Sequence, residues 1–276
     1  MVFMAQFGAF TAASLRTFAK RLLDAHCLQQ RLRDRSFIHE ARSHSFYHLP
    51  NIIWQTGYSS VVSAADSGNM SYSDFKTIDQ AVSTLELTVE DIPHFFSKVA
   101  PIEPSQRLKE ALDETLDLAA SISTEKARSE LIITPILLEI RRIFQNRIGY
   151  FSGNTFNVDE SKGLTGACDF ILSASSNQSL VTAPVLTLVE AKDNDIRIGL
   201  GQCVAQMVAA QIFNARKGLE QPLVYGAVST GTNWKFIMLE NQVVKIDLTE
   251  YFITQLNQIL GILAEPFRIY FEGAIA

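Results

Sequence analysis

Two apolar runs in the second half of the chain predict buried strands that bring charge to one place. Residues 166–173 and 186–192 are rich in Val, Leu, Ile, Phe and Ala, and each has the length of a strand. Because side chains alternate between the faces of a strand, Glu190 and Lys192 at the end of the second run share one face. Asp169 lies inside the first run. Charged side chains are costly to bury in such runs unless an opposite charge or a metal accompanies them, so we expect these three to form one group.

The same alternation assigns the neighbours of these residues to faces. In the first strand it places Asp169 with Ile171, on the side opposite Cys168. In the second strand it places Leu186 and Leu188 on the face that carries the charges. The charged side chains of the two strands are thus assigned to one face of each strand.

Helical patterns occupy the region before these strands. Residues 74–87 predict one helix, and residues 88–91 have the composition of a cap and first turn of a second. Apolar residues recur at helical spacing from 104 to 122, and Ser123 or Thr124 is a suitable cap for the longer helix that follows. We therefore expect helices throughout this region.

The longer helix carries a further acid beside its apolar stripe. The stripe begins at Ile133, which places Glu130 at its edge and Glu139 on the opposite side. Pro135 removes one backbone donor and should kink the helix. Glu130 is therefore a candidate for the charged group, and a pairing with a nearby base such as Arg128 is the alternative.

A second long helix and a meander are predicted after the strands. Residues 202–216 predict an apolar helix, and Gln202 near its start either points back over the charged group or lies on the helix surface. The remaining pattern predicts strands at 148–153, 155–158, 223–229, 234–239 and 243–248, and a last helix at 250–263 that Thr249 caps.

The order of these elements indicates an α/β fold, with a mixed central sheet flanked by helices. We predict three parts: a basic extension at 1–69, a helical N-terminal part at 70–122, and an α/β domain at 123–276 that ends in a β-meander and a helix. Basic side chains outnumber acidic ones in residues 1–69. We expect this part to be a loosely attached, poorly ordered extension or an over-long start, with an ordered helical cap as the alternative.

Composition narrows the class of protein. The 276 residues are 47% apolar and 19% charged, which is enough for a full core. The formal net charge of −5 disfavours a protein that coats DNA regardless of sequence, but it does not exclude a nuclease with a locally basic cleft. Three cysteines without a CxxC pair disfavour a disulfide framework or a zinc site and fit a reducing cytoplasm. No apolar run has the length of a membrane span, so we expect no membrane partner.

The order helix, strand, strand, strand, helix, strand over residues 124–229 resembles the PD-(D/E)XK nuclease superfamily and its restriction-endonuclease-like αβββαβ core. The chain is most similar to the nuclease region of type I restriction enzyme R subunits, and the resemblance covers residues 105–250. Helicase motor motifs are not found in these residues, so we expect the nuclease region rather than a whole R subunit. Cys168 stands where the proline that gives the superfamily its name would be, and many members lack that proline.

The resemblance implies roles for five residues. Asp169 and Glu190 match the two acids of the core motif, and Lys192 matches its lysine. Glu130 matches the acid that many members supply from the preceding helix. Gln202 matches a glutamine that some branches place after the motif. The implied activity is the hydrolysis of phosphodiester bonds.

The resemblance also implies a cofactor and partners. Mg²⁺, with Mn²⁺ as a substitute, would be held by Asp169 and Glu190, and Glu130 would hold a second metal or a metal-bound water. Lys192 would orient or deprotonate the attacking water, or neutralise charge on the phosphate. DNA is the implied substrate, and a homodimer or a targeting protein is the implied partner.

Two other interpretations remain open. The first is a nuclease-like fold that acts as a nucleic-acid-binding or assembly module with little turnover. The second is a purely structural role, in which Lys192 forms a buried ion pair with Glu190 and Asp169. Buried pairs of that kind often cost more desolvation than they return.

Overall fold

A mixed sheet of seven strands lies at the centre of the protein in the computed structural model, which describes residues 70–219 and 223–273. The strands are β1 (Thr88–Ile92), β2 (Gly149–Thr155), β3 (Ala167–Ser173), β4 (Val185–Ala191), β5 (Leu223–Ser229), β6 (Asn233–Glu240) and β7 (Val243–Phe252). Their order is β1-β7-β6-β5-β4-β3-β2. The pairs β1–β7 and β4–β5 are parallel, and the other pairs are antiparallel. The extension predicted at 1–69 lies outside the described residues.

Helices cover both faces of this sheet. They are α1 (Ile78–Leu85), α2 (Gln106–Ile122), α3 (Glu125–Arg128), α4 (Thr134–Ile143), α5 (Ile196–Arg216) and α6 (Leu256–Gly273), with a π turn at Ser129–Ile133 between α3 and α4. Buried residues of α2, α4 and α6 form a first core with one face, and those of α1 and α5 form a second core with the other. The predicted α/β class, with a mixed sheet flanked by helices, is confirmed.

The region predicted to start a second helix, residues 88–91, is instead the edge strand β1. Its backbone pairs in parallel with β7, beginning with Thr88 opposite Val243. The helix before it is also shorter than predicted, because Glu86 takes a left-handed φ of 56° and ends α1. The prediction is wrong because Thr, Glu and Asp suit a helix cap, whereas the strand that decides the conformation lies far along the chain.

The end of the meander differs from the prediction as well. β7 continues through Thr249, because Glu250 still pairs with Lys235 of β6. The last helix, α6, consequently begins at Leu256, and Thr249 does not cap it. Of the two short segments predicted before β3, the first forms β2, which continues to Thr155, and residues 156–158 lie outside the strand.

A π turn precedes Pro135, where the sequence pattern predicts a kink, and the kink itself stays a prediction. Thr124 caps α3 as expected, with its side chain accepting a hydrogen bond from the backbone of Ala127. Pro135 has no N–H for the carbonyl of Leu131, four residues earlier. The hydroxyl of Thr115 on α2 lies 2.7 Å from that carbonyl and 2.8 Å from the carbonyl of Ala111, and its one proton is shared between the two acceptors. A tertiary contact is thus in place for the freed group.

α5 is the central helix of the second core. The sequence pattern predicts no apolar run as long as a membrane span. Among the described residues, however, one helix, α5, has the length and composition of such a span. Most of it is buried, against α1 and the sheet. A Cβ on Gly201 would lie 2.6 Å from the carbonyl oxygen of Phe75, so the chain before α1 crosses this helix at close range. Packing within the fold therefore accounts for the apolar surface of α5.

Candidate active site

Asp169, Glu190 and Lys192 lie together at one end of β3 and β4, as the strand pattern predicts. Phe170 pairs with Val189, which leaves Asp169 and Glu190 as the next residues of the two strands. The regular ladder stops there. The Asp169 carboxylate instead accepts a 2.8 Å hydrogen bond from the backbone N–H of Ala191. Asp169 is thereby fixed beside the end of β4.

Glu190 is held from two sides. Its side chain is only 1% exposed and accepts a 2.9 Å hydrogen bond from the Gln206 amide of α5. The Lys192 ammonium, partly open to solvent, donates to its other oxygen. Gly199, in the first turn of α5, packs closely against these two side chains. A Cβ added to Gly199 would lie 3.2 Å from both Glu190 Cγ and Lys192 Cε.

The charges at this site are incompletely balanced. Burial, and then the negative charge of Asp169, raise the pKa of Glu190 to about 8, against the opposing effects of Lys192 and Gln206. Burial lowers the pKa of Lys192, but the charge and hydrogen bond of Glu190, together with the charges of Glu125 and Asp169, outweigh it, and the pKa lies above its usual value. Both shifts favour the protonated form of the side chain, which is neutral for Glu190 and positively charged for Lys192. Burial and the charge of Asp169 therefore both favour the protonated form of Glu190.

Glu125, which the sequence analysis missed as a site residue, adds another acid. It is the first residue of α3, directly after the Thr124 cap. Partial burial raises its pKa; Lys192 acts against that rise, and Asp169 and the exposed Asp193 add to it. These couplings place Glu125 in the field of the same group. Its position after a cap was a signal, but one that equally fits an ordinary acid in the first turn of a helix.

Glu130, the acid predicted from this helix, is not brought to the group. Its side chain is 58% exposed and forms a 2.8 Å ion pair with Lys126, one turn earlier. This arrangement matches the alternative prediction, an ion pair between Glu130 and a nearby basic side chain, although that side chain is Lys126 and not Arg128. The guanidinium of Arg128 donates instead to the carbonyl of Thr230, in the turn between β5 and β6, at 3.0 Å. A metal-binding role for Glu130 stays a prediction.

The amide that reaches the group is one turn further along α5 than predicted. Gln202 is half-buried, and no hydrogen bond joins it to these residues within the part of the chain that the structure describes. Gln206 is fully buried and bonds Glu190. The oxygen of the Gln206 amide is buried without a partner among the described residues. The periodicity of α5 allowed either glutamine, because residues four apart lie on the same side of a helix.

β3 is irregular at Asp169. Cys168 and Ile171 both pack in the second core, although alternation places them on opposite faces. Gly153 stands at the corresponding position of β2, has a left-handed φ of 67°, and interrupts the pairing. The predicted orientation of Cys168 is wrong because the strand does not keep a regular pleat here.

A β-bulge near the start of β4 gives this strand one residue more than β3 has at the same place. The register changes between Leu172 and Ser173, and Leu186 packs in the first core while Leu188 packs in the second. The prediction that Leu186 and Leu188 share a face is therefore wrong. Glu190 lies beyond the bulge and keeps its predicted face with Leu188.

The donor set can be compared with the Mg²⁺ ion that the resemblance implies. Asp169 and Glu190 offer hard oxygens, and Mg²⁺ commonly uses only one or two carboxylates, with waters completing its shell. In the ranges 70–219 and 223–273, no group of three or more His, Cys, Asp or Glu side chains is assembled to hold a metal alone. The neighbouring thiols of Cys168 and Cys203 are buried, and burial raises the pKa of both, so neither supplies a thiolate. The residues present fit Mg²⁺ bound largely through water and substrate oxygens.

The candidate site thus combines Asp169, Glu190 and Lys192 with Gln206, and has Glu125 at its edge. Its chemistry is that of a partly buried acidic group with one ammonium at the mouth. Neither a protein-family model nor a curated protein matches this chain.

Proposed function

We propose that this protein is a metal-dependent nuclease that hydrolyses phosphodiester bonds in DNA, with a restriction-endonuclease-like core. The observation that carries the proposal is the meeting of Asp169, Glu190 and Lys192 at the ends of two adjacent strands. Phosphodiester hydrolysis needs an activated water and compensation for the charge that develops on the phosphate. Two carboxylates and an ammonium in one place are suited to these tasks.

Asp169 and Glu190 are the residues that would hold Mg²⁺ or Mn²⁺. Bound there, the ion would polarise a phosphate oxygen and lower the pKa of a bound water. The local charge supports this assignment, because one ammonium is set against several carboxyl groups, those of Glu125, Asp169, Glu190 and Asp193. Burial is the main cause of the raised pKa of Glu190, and the negative charge of Asp169 adds to it; a divalent cation would relieve that second contribution.

Lys192 is assigned the proton-handling or charge-neutralising role. Its ammonium is held by Glu190, and its side chain is 16% exposed, so it can meet a substrate from solvent. From this position it orients the attacking water or stabilises the developing negative charge. Its backbone N–H donates to the carbonyl of Ser229 at 2.9 Å, which fixes the start of the side chain.

Glu125 and Gln206 are the residues that support Asp169, Glu190 and Lys192, in place of Glu130 and Gln202. We assign to Glu125 the role that the resemblance gave to Glu130, because Glu125 is the helix acid in the field of Asp169 and Lys192. Gln206 holds one oxygen of Glu190 and fixes the plane of that carboxylate. A homodimer that cuts two strands, a targeting protein and a cytoplasmic location belong to the same proposal.

One observation favours a second candidate, a nucleic-acid-binding or assembly module with little turnover. Both oxygens of Glu190 already accept hydrogen bonds from protein groups, namely Lys192 and Gln206. A metal would have to compete with Lys192 for that carboxylate. A site that stays closed in this way would bind nucleic acid without cutting it.

The direct test is to incubate the full chain with circular, linear and single-stranded DNA and with RNA, in Mg²⁺, Mn²⁺ or EDTA. Cleavage of DNA only in the presence of metal supports the nuclease. The DNA form that is cut then separates endonuclease from exonuclease action. Binding without cleavage in every buffer supports the second candidate, and the absence of both contradicts the two.

A further inference from the structure

Gly153 of β2 lies opposite Asp169 of the neighbouring strand β3, and the space beside Gly153 is open. Its neighbours Ser152 and Asn154 pair with Phe170 and Cys168, which puts Gly153 level with Asp169. It adopts φ +67°, and no atom of the described residues lies within 4 Å of where its Cβ would be. The strand therefore lacks a side chain at the point nearest to a site carboxylate.

Internal packing does not explain this glycine. Two left-handed glycines of the described chain do lie close to its own side chains, since a Cβ on Gly163 would lie 2.7 Å from Met70 and one on Gly231 would lie 3.1 Å from Ile132. Gly218, after α5, is as open as Gly153. Nor does the backbone conformation alone require glycine, since Asn146 has a φ of 62°. Glycine inside a strand often marks a place where a ligand approaches the backbone closely.

The residues beside Gly153 suit a particular kind of ligand. Ser152, Asn154 and Thr155 are all exposed, and each carries an uncharged hydroxyl or amide. Side chains of this type and backbone N–H groups make many of the contacts to phosphates and sugars in nucleic-acid complexes. This segment presents no carboxylate of its own to repel a polyanion.

We propose that Ser152–Thr155 is the surface on which the sugar-phosphate backbone of the substrate strand lies, and that Gly153 leaves the room for the phosphate that reaches Asp169. This inference rests on the proposed nuclease function and names the path of the substrate into that site. A side chain at position 153 would stand between the strand and Asp169.

The chain offers a matched control in Gly218, after α5. Gly218 has φ +75°, and no described atom lies within 4 Å of where its Cβ would be. The same replacement at 153 and 218 therefore imposes similar backbone strain, with no described neighbour to clash with at either position. Asn, Asp and Lys at each position change size and charge in steps, and Asn tolerates the left-handed conformation best.

The experiment measures the Kd of a labelled DNA duplex by fluorescence anisotropy with Ca²⁺ in place of Mg²⁺, and KM and kcat for cleavage in Mg²⁺. Gly153→Asp should raise Kd and KM about tenfold and Gly153→Lys should lower them about threefold, since a charge beside a phosphate acts directly on binding. Gly153→Asn should raise KM through its size alone. The Gly218 variants should stay within about twofold of wild type, because their charge lies away from the bound phosphate.

Equal responses at 153 and 218 would overturn the inference while wild-type cleavage still supported the nuclease. If wild type neither binds nor cuts nucleic acid, the proposed function fails and the inference fails with it. Thermal melting of each variant identifies a loss of folding, and Gly153→Asn provides the comparison if the charged variants melt early.

Discussion

Gln206 donates a 2.9 Å hydrogen bond to Glu190 from the middle of α5, and both side chains are buried. A buried carboxylate is costly without such partners. The bond joins the central helix of the second core to the end of β4, where the candidate site lies. The amide therefore links the packing of the fold to the direction of a carboxylate that we assign to metal binding.

This relationship predicts different effects for two glutamines of α5. Gln206→Met should lower cleavage about tenfold, a typical loss when a metal-ligand support is removed, and should raise the Mg²⁺ concentration needed for half-maximal rate. Gln202→Met should leave both close to wild type, because no hydrogen bond from Gln202 to the group is described. Steady-state rates over a Mg²⁺ series test this. A larger effect at Gln202 would restore the assignment that the resemblance suggested.

A second pair of variants compares the two helix acids. Glu125→Gln should lower the cleavage rate by about tenfold or more, because it removes a charge that acts on Asp169 and Lys192. Glu130→Gln should have little effect, since Glu130 forms an exposed pair with Lys126. Single-turnover cleavage by both variants, beside wild type, decides between them. The reverse order of effects would return the role to Glu130.

The pKa of Glu190 predicts how stability depends on pH in the metal-free protein. Its ordinary value is 4.5, and burial together with Asp169 raises it to about 8 in the fold. Between these values the unfolded chain has released the proton that the folded protein keeps, so a rise in pH favours unfolding. This contribution is full below about pH 4.5 and is lost as the pH approaches 8.

Melting temperatures in EDTA from pH 5 to pH 9 measure this dependence. The wild type should lose stability across the range, and Glu190→Gln should show a flatter profile. Lys192 does not interfere, because its raised pKa makes it lose its proton only above its usual range. Profiles of equal slope for the two proteins would contradict the assignment to Glu190.

The π turn before Pro135 predicts a stability effect far from the chemistry. Thr115→Val keeps the shape of the side chain but removes the hydroxyl that donates to the Leu131 carbonyl. The loss should cost about 1–2 kcal/mol in the free energy of unfolding, because a backbone acceptor is left unsatisfied. Urea denaturation measures it, with Thr115→Ser as the variant that keeps the donor. No difference between Val and Ser at this position would contradict the donation to Leu131 and would leave the carbonyl of Ala111, 2.8 Å from the hydroxyl, as the acceptor.

The sequence pattern predicted the parts of the fold in which local periodicity decides the structure. Alternation along β4 placed Glu190 and Lys192 together, and the apolar run around Asp169 indicated the neighbouring strand. The errors occur where a residue's direction depends on a distant partner. Cys168 turned to the other face because Gly153 of β2 breaks the pairing beside it.

The same reason explains the exchange of Glu130 for Glu125. A regular period carried back from Ile133 put Glu130 at the edge of the buried stripe. The π turn at Ser129–Ile133 has more residues per turn, so residues three apart no longer share a face. The phase of the helix before this turn could not be obtained from an unbroken period of 3.6 residues.

The central claim is that Lys192 takes part in phosphodiester hydrolysis, rather than serving only as the partner of Glu190. The most direct measurement compares Lys192→Ala with Lys245→Ala, since Lys245 is also a partly buried lysine of the sheet paired with a glutamate, Glu240. Metal-dependent cleavage and thermal melting are measured for both. We expect Lys192→Ala to fold but to lose all cleavage, and Lys245→Ala to cut DNA like wild type. Cleavage by Lys192→Ala at the wild-type rate would contradict it.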